Sequence, residues 1–374
     1  MRKETELPAF RACYEETRKR LEQKMKVWNR GLQREKNPLI RTVTGDLADL
    51  NSGGKLLRGV LITLGYRIAS GKTDDYADDL ALAFEMFQTG VLIHDDIIDN
   101  AEIRRGKFTI TRRSEDRSRL RQIRMSAESE SVESLAKSTA ICAGDLGLYL
   151  ANARIAESYA ADPLCAQVIA CFDRIVLDTI RGELLDVILP YELQDVSLTE
   201  EERLRLLEQS VKEIYHLKTS CYSVIGPLRL GLLLGGADEA SMRAMDRFGD
   251  ELGIAYQIMD DILGIYSEAD YLGKDVGSDI SEYKQTILYL YVRSQAPEYY
   301  EELSRYYGKR QVSVDELEEV RRIFRESGAL DYARSVMDAC FARAERKLSR
   351  MRFVGREERE ILKGFISYCR TRNR

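Results

Sequence analysis

The sequence predicts an all-α protein built as a single large helical bundle, and three observations carry that prediction. Only six prolines occur in 374 residues. That is too few for a turn-rich sandwich or barrel, while Ala, Leu, Glu, Lys and Arg, all good helix formers, are abundant. Segments such as LALAFEMFQTGVLIHDDIIDN are apolar on nearly every face, the mark of a buried helix. No linker divides the chain and no repeat period appears, so residues 1–374 are expected to form one domain, with 44% hydrophobic content to fill a large core.

The elements follow in order. Arg11 to Leu32 is charged and helix-permissive until Asn37-Pro38 interrupts it. SGGKLLRG at 52–59 is a glycine-rich basic loop running into the apolar VLITLGYRIA, and Gly71 to Asp79 reads as the next connection. The buried helix before the aspartates comes next. From Thr109 to Lys137 the chain is dense in both charge signs and in Ser, which predicts a solvent-exposed charged insertion at about 112–134. Helical pattern resumes in STAICAGDLGLYLANARIAESYA and CAQVIACFDRIVLDTIRGELLDVIL. HLKTSCYSVIGPLRLGLLLGGA should be bent or broken at Gly226-Pro227. MRAMDRFGDELGIAYQIMDDILGIY is a further apolar helix, and the remainder from about Ser281 is amphipathic.

Composition excludes several classes. A net charge of -5 gives no reason to expect nucleic acid as a partner, because backbone phosphate binding needs an excess of Lys and Arg. The seven cysteines are scattered and contain no Cys-x-x-Cys, so they predict neither a disulfide framework nor a thiolate metal site. They suit a reduced, cytoplasmic protein. No stretch resembles a signal peptide or a transmembrane segment, so a soluble protein is expected.

The chemistry concentrates in acidic residues placed where apolar ones belong. Asp95 and Asp99 share one helix face, about 6 Å apart along the axis, with Asp96 beside them. Asp260 and Asp261 repeat the pair inside another apolar helix. One Asp-Asp pair is most often a solvated helix end. Two pairs in two apolar helices are different, because crowded carboxylates repel and are costly to desolvate, and a cation compensates both effects. Oxygen ligands without a Cys or His cluster suggest magnesium, held by carboxylates together with substrate phosphates. His94 reads as a core or supporting residue, and the Gly53-Gly54-Lys55 loop lacks the full P-loop spacing.

At these residues the chain resembles the trans-isoprenyl (polyprenyl) diphosphate synthase family, over roughly residues 40 to 290. GGKLLRG at 53–59 is similar to GGKxxRP, with Gly59 in place of proline. DDIIDNAEIRRG at 95–106 matches the first aspartate-rich motif, DDxxD followed by RRG. GELLD at 182–186 resembles GQxxD with Glu183 for glutamine, and HLKTS at 216–220 carries the family's Lys-Thr. YQIMDDILG at 256–264 followed by GKDVGSD at 273–279 matches the second aspartate-rich region, with Gly264 where its last aspartate stands. Thr111 replaces a frequent histidine.

The resemblance implies the isoprenoid-synthase bundle with a central active-site cavity, and a prenyltransferase that joins isopentenyl diphosphate head-to-tail to an allylic diphosphate. It implies three magnesium ions held by Asp95, Asp99 and Asp260, with Asp96 and Asp261 close by and Asp186 in support. Arg104, Lys218 and Lys274 would contact the allylic diphosphate. Gly54, Lys55, Arg58, Gln88 and Arg105 would hold that of isopentenyl diphosphate, for which the family uses no metal. Thr219 and Gln257 would stabilise the allylic cation through their oxygen dipoles. Ionisation followed by π-bond attack needs no protein nucleophile, and the chain has only two His and no nucleophile elbow. The family also implies a homodimer.

Product length is expected to depend on the residues before Asp95. Short-chain members carry an aromatic residue at the fifth position before the first aspartate. Here that position is Gly90, followed by Val91, and the next large side chain is Phe87, with Phe84 a turn below. Moving the floor three residues adds roughly 4.5 Å, close to one isoprene unit, which points to geranylgeranyl diphosphate (C20), in a range of C20 to C30. Two other readings are a terpene cyclase of the same fold, which has no use for a second diphosphate site, and a non-catalytic subunit of a heteromeric synthase, which has no use for near-complete aspartate motifs.

Overall fold

Asn37-Pro38 sets the first boundary. In the computed structural model, which describes residues 7–120, 129–267, 277–309 and 311–371, α1 (Leu7–Leu32) ends just before it. Proline suits a first helical turn because it has no N–H to leave unbonded there. Pro38 accordingly starts α2 (Pro38–Asn51), and Asn37 caps it by accepting the Leu39 N–H at 2.9 Å. α3 (Leu57–Ser70) and α4 (Asp78–Ile98) follow. A two-residue-stranded hairpin, β1 (Ile103–Arg104) and β2 (Lys107–Phe108), then leads to α5 (Ile110–Leu120), α6 (Ser129–Ser158) and α7 (Cys165–Glu192). Next come α8 (Glu200–Ile214), a π-helix (Tyr215–Ile225), α9 (Gly226–Leu234) and α10 (Glu239–Tyr266). The chain closes with α11 (Ser278–Ser281), α12 (Ile287–Gln295), α13 (Pro297–Ser304), α14 (Val314–Glu326), α15 (Ala329–Arg350) and α16 (Arg356–Thr371).

The hairpin is the only sheet among the described residues, so the predicted all-α bundle is the fold. Two amphipathic helices start on reciprocal caps: Thr199 with Glu202 for α8, and Ser313 with Glu316 for α14. No described helix is long and apolar enough to cross a membrane.

α4 is the axis of the bundle. Every residue from Leu80 to Gly90 is buried, and the helix packs on α3 and α6. The break expected at Gly226-Pro227 takes the form of the π-helix. Its last bond runs from the Gly226 N–H to the Cys221 carbonyl, after which Pro227, with no N–H to donate, lets the chain resume as α9.

Two expectations need correction. The charged stretch at 112–134 is only partly exposed where it is described: residues 112–118 are half-buried or buried, and Glu133 and Ser134 are exposed. Residues 110–120 form α5, with Ser114 and Ser118 buried, and residues from Ser129 onward belong to α6. Arg113 and Arg117 pair with Asp46 of α2, which explains how so polar a helix docks. Residues 121–128 lie outside the described residues. Gly90, read as a missing floor of the product cavity, instead meets α6. A Cβ there would sit 2.8 Å from the Gly144 carbonyl oxygen and 3.1 Å from the Leu148 nitrogen.

That contact generates a prediction. Gly90→Val should lower stability by about 1–3 kcal/mol through overpacking, read as a drop in the urea midpoint without change of slope. An unchanged midpoint would show that α4 and α6 do not cross so closely.

Candidate active site

The first site residues come from the end of α4. Asp95 and Asp96 occupy its last turn and Asp99 is the residue that caps it. The chain then doubles back through the hairpin, whose register pairs Ile103 with Phe108 and Arg104 with Lys107. Arg105 and Gly106 are left as a two-residue turn, both with positive φ, at 54° and 73°. Turns with two positive φ values match strand twist and favour glycine, which accounts for the Gly of the RRG triplet.

Arg104 ends the first strand and Arg105 opens the positive-φ turn, and the two arginines diverge accordingly. Arg104 returns to α4, with Nε 2.5 Å from Asp96 Oδ1 and Nη2 2.7 Å from Asp95 Oδ2. Arg105 turns to the glycine-rich loop, where Nη1 donates to the Gly53 carbonyl at 2.7 Å. Gly54 has a φ of +116°, and a Cβ there would lie 2.6 Å from Arg105 Nη1. Glycine is needed both for its backbone and for the space the guanidinium fills.

Below Arg105 sits a buried polar cluster. Gln88, oriented by its hydrogen bonds, accepts from Arg58 at 2.9 Å and Arg105 at 3.0 Å through its amide oxygen, and donates to Glu85 at 2.9 Å. Glu85 also accepts the Gly59 N–H at 2.8 Å, and burial pushes its carboxyl above the usual range. Arg58 donates to Ser223 Oγ at 2.8 Å and lies 4.0 Å from the centre of the Tyr222 ring, a cation–π contact. Lys55 is exposed at the rim, and its carbonyl accepts from Tyr14 of α1.

Opposite α4 stands α10 with Asp260 and Asp261. Asp261 is buried, accepts from Gln257 Nε2 at 2.7 Å and from the Tyr215 hydroxyl, and burial raises its pKa to about 7. Thr219 donates to Gln257. Lys218 reaches across to α7, 2.6 Å from Asp186 and 2.9 Å from Glu183. Lys218 and Thr219 both lie in the π-helix, which needs room. A Cβ on Gly182 of α7 would be only 2.5 Å from the Lys218 nitrogen, and one on Gly253 of α10 would collide with Ser220.

These groups border a cavity of about 260 Å³ that brings Asp95, Asp186, Lys218, Gln257, Asp260 and Asp261 together. A larger cleft of about 1860 Å³ carries Asp99 and shares Asp186. Residues of both aspartate motifs and Lys218 border these two cavities, whereas Arg58, Gln88 and Arg105 form the separate buried cluster. Lys274 lies outside the described residues. Phe87 and Phe84 are fully buried, and both pack against Phe172 and Tyr222 in one aromatic cluster with ring centres 5.3–6.2 Å apart. Val91 is half-buried above them. His94 rests on α6, 3.2 Å from the Ile141 carbonyl.

Several residues of the site escaped sequence reasoning. Lys284 borders the small cavity, 2.7 Å from Glu282 and 3.8 Å from Asp279. Burial opposes its charge, but Asp279, Asp99 and Glu282 outweigh that and hold its pKa well above the usual lysine range. Asp279 occupies the space beside Gly264 so closely that a Cβ on that glycine would collide with its carboxylate. Glu85 and Tyr215 were equally silent, since a lone Glu or Tyr on a helix carries no motif.

The donor set fits a hard divalent cation. Among the described residues Asp95, Asp186, Asp260, Asp261 and Asp279 border the small cavity with Lys218 and Lys284, so carboxylates outnumber cations there. Among the described residues no three carboxylates are gathered closely enough to hold a metal by themselves.

Comparison with known proteins agrees. The model of the polyprenyl synthetase family matches residues 43–324. A geranylgeranyl diphosphate synthase of Sulfolobus acidocaldarius is 30% identical over 265 residues, 67% of this chain and 69% of the relative. A geranylfarnesyl diphosphate synthase of Aeropyrum pernix is 29% identical over 331 residues, 85% of this chain and 90% of the relative. The crystal structure of geranylgeranyl pyrophosphate synthase from Corynebacterium glutamicum, complexed with isoprenyl diphosphate and magnesium, superposes with a TM-score of 0.82. It is 24% identical and aligns over 96% of this chain and 99% of its own, a likeness of fold. With cavity, paired aspartates and family model in agreement, this chain belongs to the polyprenyl synthetase family and is a trans-prenyltransferase.

Proposed function

We propose that the enzyme condenses isopentenyl diphosphate with an allylic diphosphate in a magnesium-dependent reaction, with geranylgeranyl diphosphate as the main product and the C25 homologue next. The observation that carries this reading is the division of the site into two charge environments. The cavity between α4 and α10 is rich in carboxylates, whereas Arg58 and Arg105 converge on Gln88 beside the single buried carboxyl of Glu85. The first suits a diphosphate that arrives with cations; the second binds a diphosphate directly through guanidinium groups.

On this assignment Asp95, Asp99 and Asp260 hold the magnesium ions, with Asp96 and Asp261 adjacent. Magnesium, when bound with substrate, neutralises charge on the departing diphosphate. The chain's own residues do the rest. Arg104, Lys218, Lys284 and Lys274 receive the leaving diphosphate as the allylic C–O bond breaks and the oxygen keeps the electron pair. Thr219 spends its proton on Gln257, so its lone pairs face the allylic cation as dipoles, and Gln257 is fixed by donating to Asp261. Gly54, Lys55, Arg58, Gln88 and Arg105 position isopentenyl diphosphate. Its π bond attacks the cation, and the proton then lost passes to the departed diphosphate.

The aromatic cluster of Phe84, Phe87, Phe172 and Tyr222 is proposed as the length limit. Gly90 drops out of that argument because it faces α6. The named relatives, a geranylgeranyl and a geranylfarnesyl diphosphate synthase, support a C20 to C25 range. A homodimer is supported by the apolar stripe of Leu177, Ile180, Leu184, Ile188 and Tyr191 left exposed along α7, at the spacing of one helix face. A cytoplasmic setting accords with the free cysteines.

Four outcomes test this reading. With magnesium and each allylic primer, Asp95→Ala and Asp260→Ala should lower kcat by several orders of magnitude in folded protein, while Arg105→Ala should chiefly raise the KM for isopentenyl diphosphate and Lys218→Ala chiefly slow ionisation. Equal effects of Arg105→Ala and Lys218→Ala on both substrates would dissolve the two-site assignment. Phe87→Ala should shift dephosphorylated products beyond C20, and an unchanged length distribution would clear the cluster of that role. Gly264→Asp, which restores the family motif, should reduce turnover rather than raise it, because its side chain meets Asp279; higher activity would show that Asp279 does not fill the missing position.

A further inference from the structure

We propose that Cys221 is a covalent modification site, a thiol activated by His216 and Asp250 that forms a mixed disulfide with an anionic low-molecular-weight disulfide. The three side chains stand in line, thiol, imidazole and orienting carboxylate. Cys221 Sγ lies 3.5 Å from His216 Nε2, and His216 Nδ1 lies 2.7 Å from Asp250 Oδ1. The π-helix makes this possible. Residues five apart on an α-helix diverge by about 140°, whereas a ladder of i to i+5 bonds stacks them, and 216 and 221 are five apart. Lys218 and Thr219, on the same π-helix, border the proposed prenyl site, while Cys221 and His216 border a separate pocket of about 570 Å³ between α7, α9 and α10.

Charge and access fit the assignment. Asp250 first, and the contact with Cys221 second, push the imidazole up to about 10, so the ring is a cation at neutral pH. The pocket also holds Arg174 and Arg247, both exposed and neither in a salt bridge among the described residues. They would receive the carboxylates of an anionic disulfide. Cys171 borders the same pocket, but burial raises its thiol to about 11, so it stays protonated and inert.

The step balances. The Cys221 sulfur attacks one sulfur of the incoming disulfide, the old S–S bond breaks as the new one forms, and the displaced half leaves as a thiolate. That thiolate takes up a proton from solvent, in place of the one Cys221 sheds to solvent as it attacks. One disulfide is consumed and one is made, so the incoming disulfide is the only oxidant.

The test maps adducts on the full-length protein by mass spectrometry after brief exposure to oxidised glutathione, an anionic disulfide, or cystamine, a cationic one. Cys221 should react at least about tenfold faster than Cys142, an exposed thiol on α6. His216→Asn should remove that advantage, with circular dichroism confirming the fold, and Cys221→Ser should abolish the adduct. Arg174→Ala with Arg247→Ala should erase a preference for oxidised glutathione over cystamine. A Cys221 rate no greater than that of Cys142, or one indifferent to His216→Asn, would overturn the site. Equal rates with the two disulfides in the unsubstituted protein would overturn its anionic ligand.

Discussion

An excess of carboxylate inside a cavity of about 260 Å³ is the constraint on which the rest of the site depends. Desolvated carboxylates repel one another and resist ionisation, and Asp261 registers both effects in a pKa raised to about 7, burial being the larger cause. The fold tolerates this because each group is tied to something. Arg104 holds Asp95 and Asp96, Lys218 holds Asp186 and Glu183, and Tyr215 with Gln257 holds Asp261. On the proposed assignment the same cations later receive the diphosphate, so the resting ion pairs stand in for the substrate.

The second constraint is room for the π-helix. An i to i+5 ladder widens a helix, and a wide helix between two others requires neighbours without side chains at the contact. Gly182 on α7 and Gly253 on α10 meet that requirement. The wider register places Lys218 and Thr219 toward α7 and α10 and simultaneously aligns His216 with Cys221 on the outer pocket. One backbone irregularity therefore shapes two surfaces, and a glycine within the GELLD block is explained by packing before any chemistry is invoked.

What the sequence made legible follows from how signals arise. Acidic pairs in apolar helices stand out because burial makes them costly, so both aspartate motifs and the bundle itself could be read in advance. Glycine is ambiguous: at Gly54 it marked a basic loop, whereas at Gly90 the same residue type marked a helix crossing that looked like open space. Charge density misled over residues 112–118, because a polar helix can dock through Arg113 and Arg117 on Asp46. Glu85 and Lys284 were hidden, since isolated charged residues on helices and loops are usually solvated, and only tertiary neighbours reveal that these two are not.

The divergence of Arg104 and Arg105 explains why two such different anion sites stand so close together. A two-residue turn with positive φ at both positions cannot lengthen without losing its register, so the guanidiniums are held on opposite sides of a rigid hairpin. Arg104 adds to a site where carboxylates dominate. Arg105 joins Arg58 over one carboxyl, Glu85, whose raised pKa lessens even that negative charge. The balance of charge therefore changes sign across adjacent residues, and on the proposed assignment that change directs the metal-bearing diphosphate to one side and the metal-free one to the other. Neither arginine could exchange roles with the other by side-chain rotation alone, because the backbone turn sets their directions.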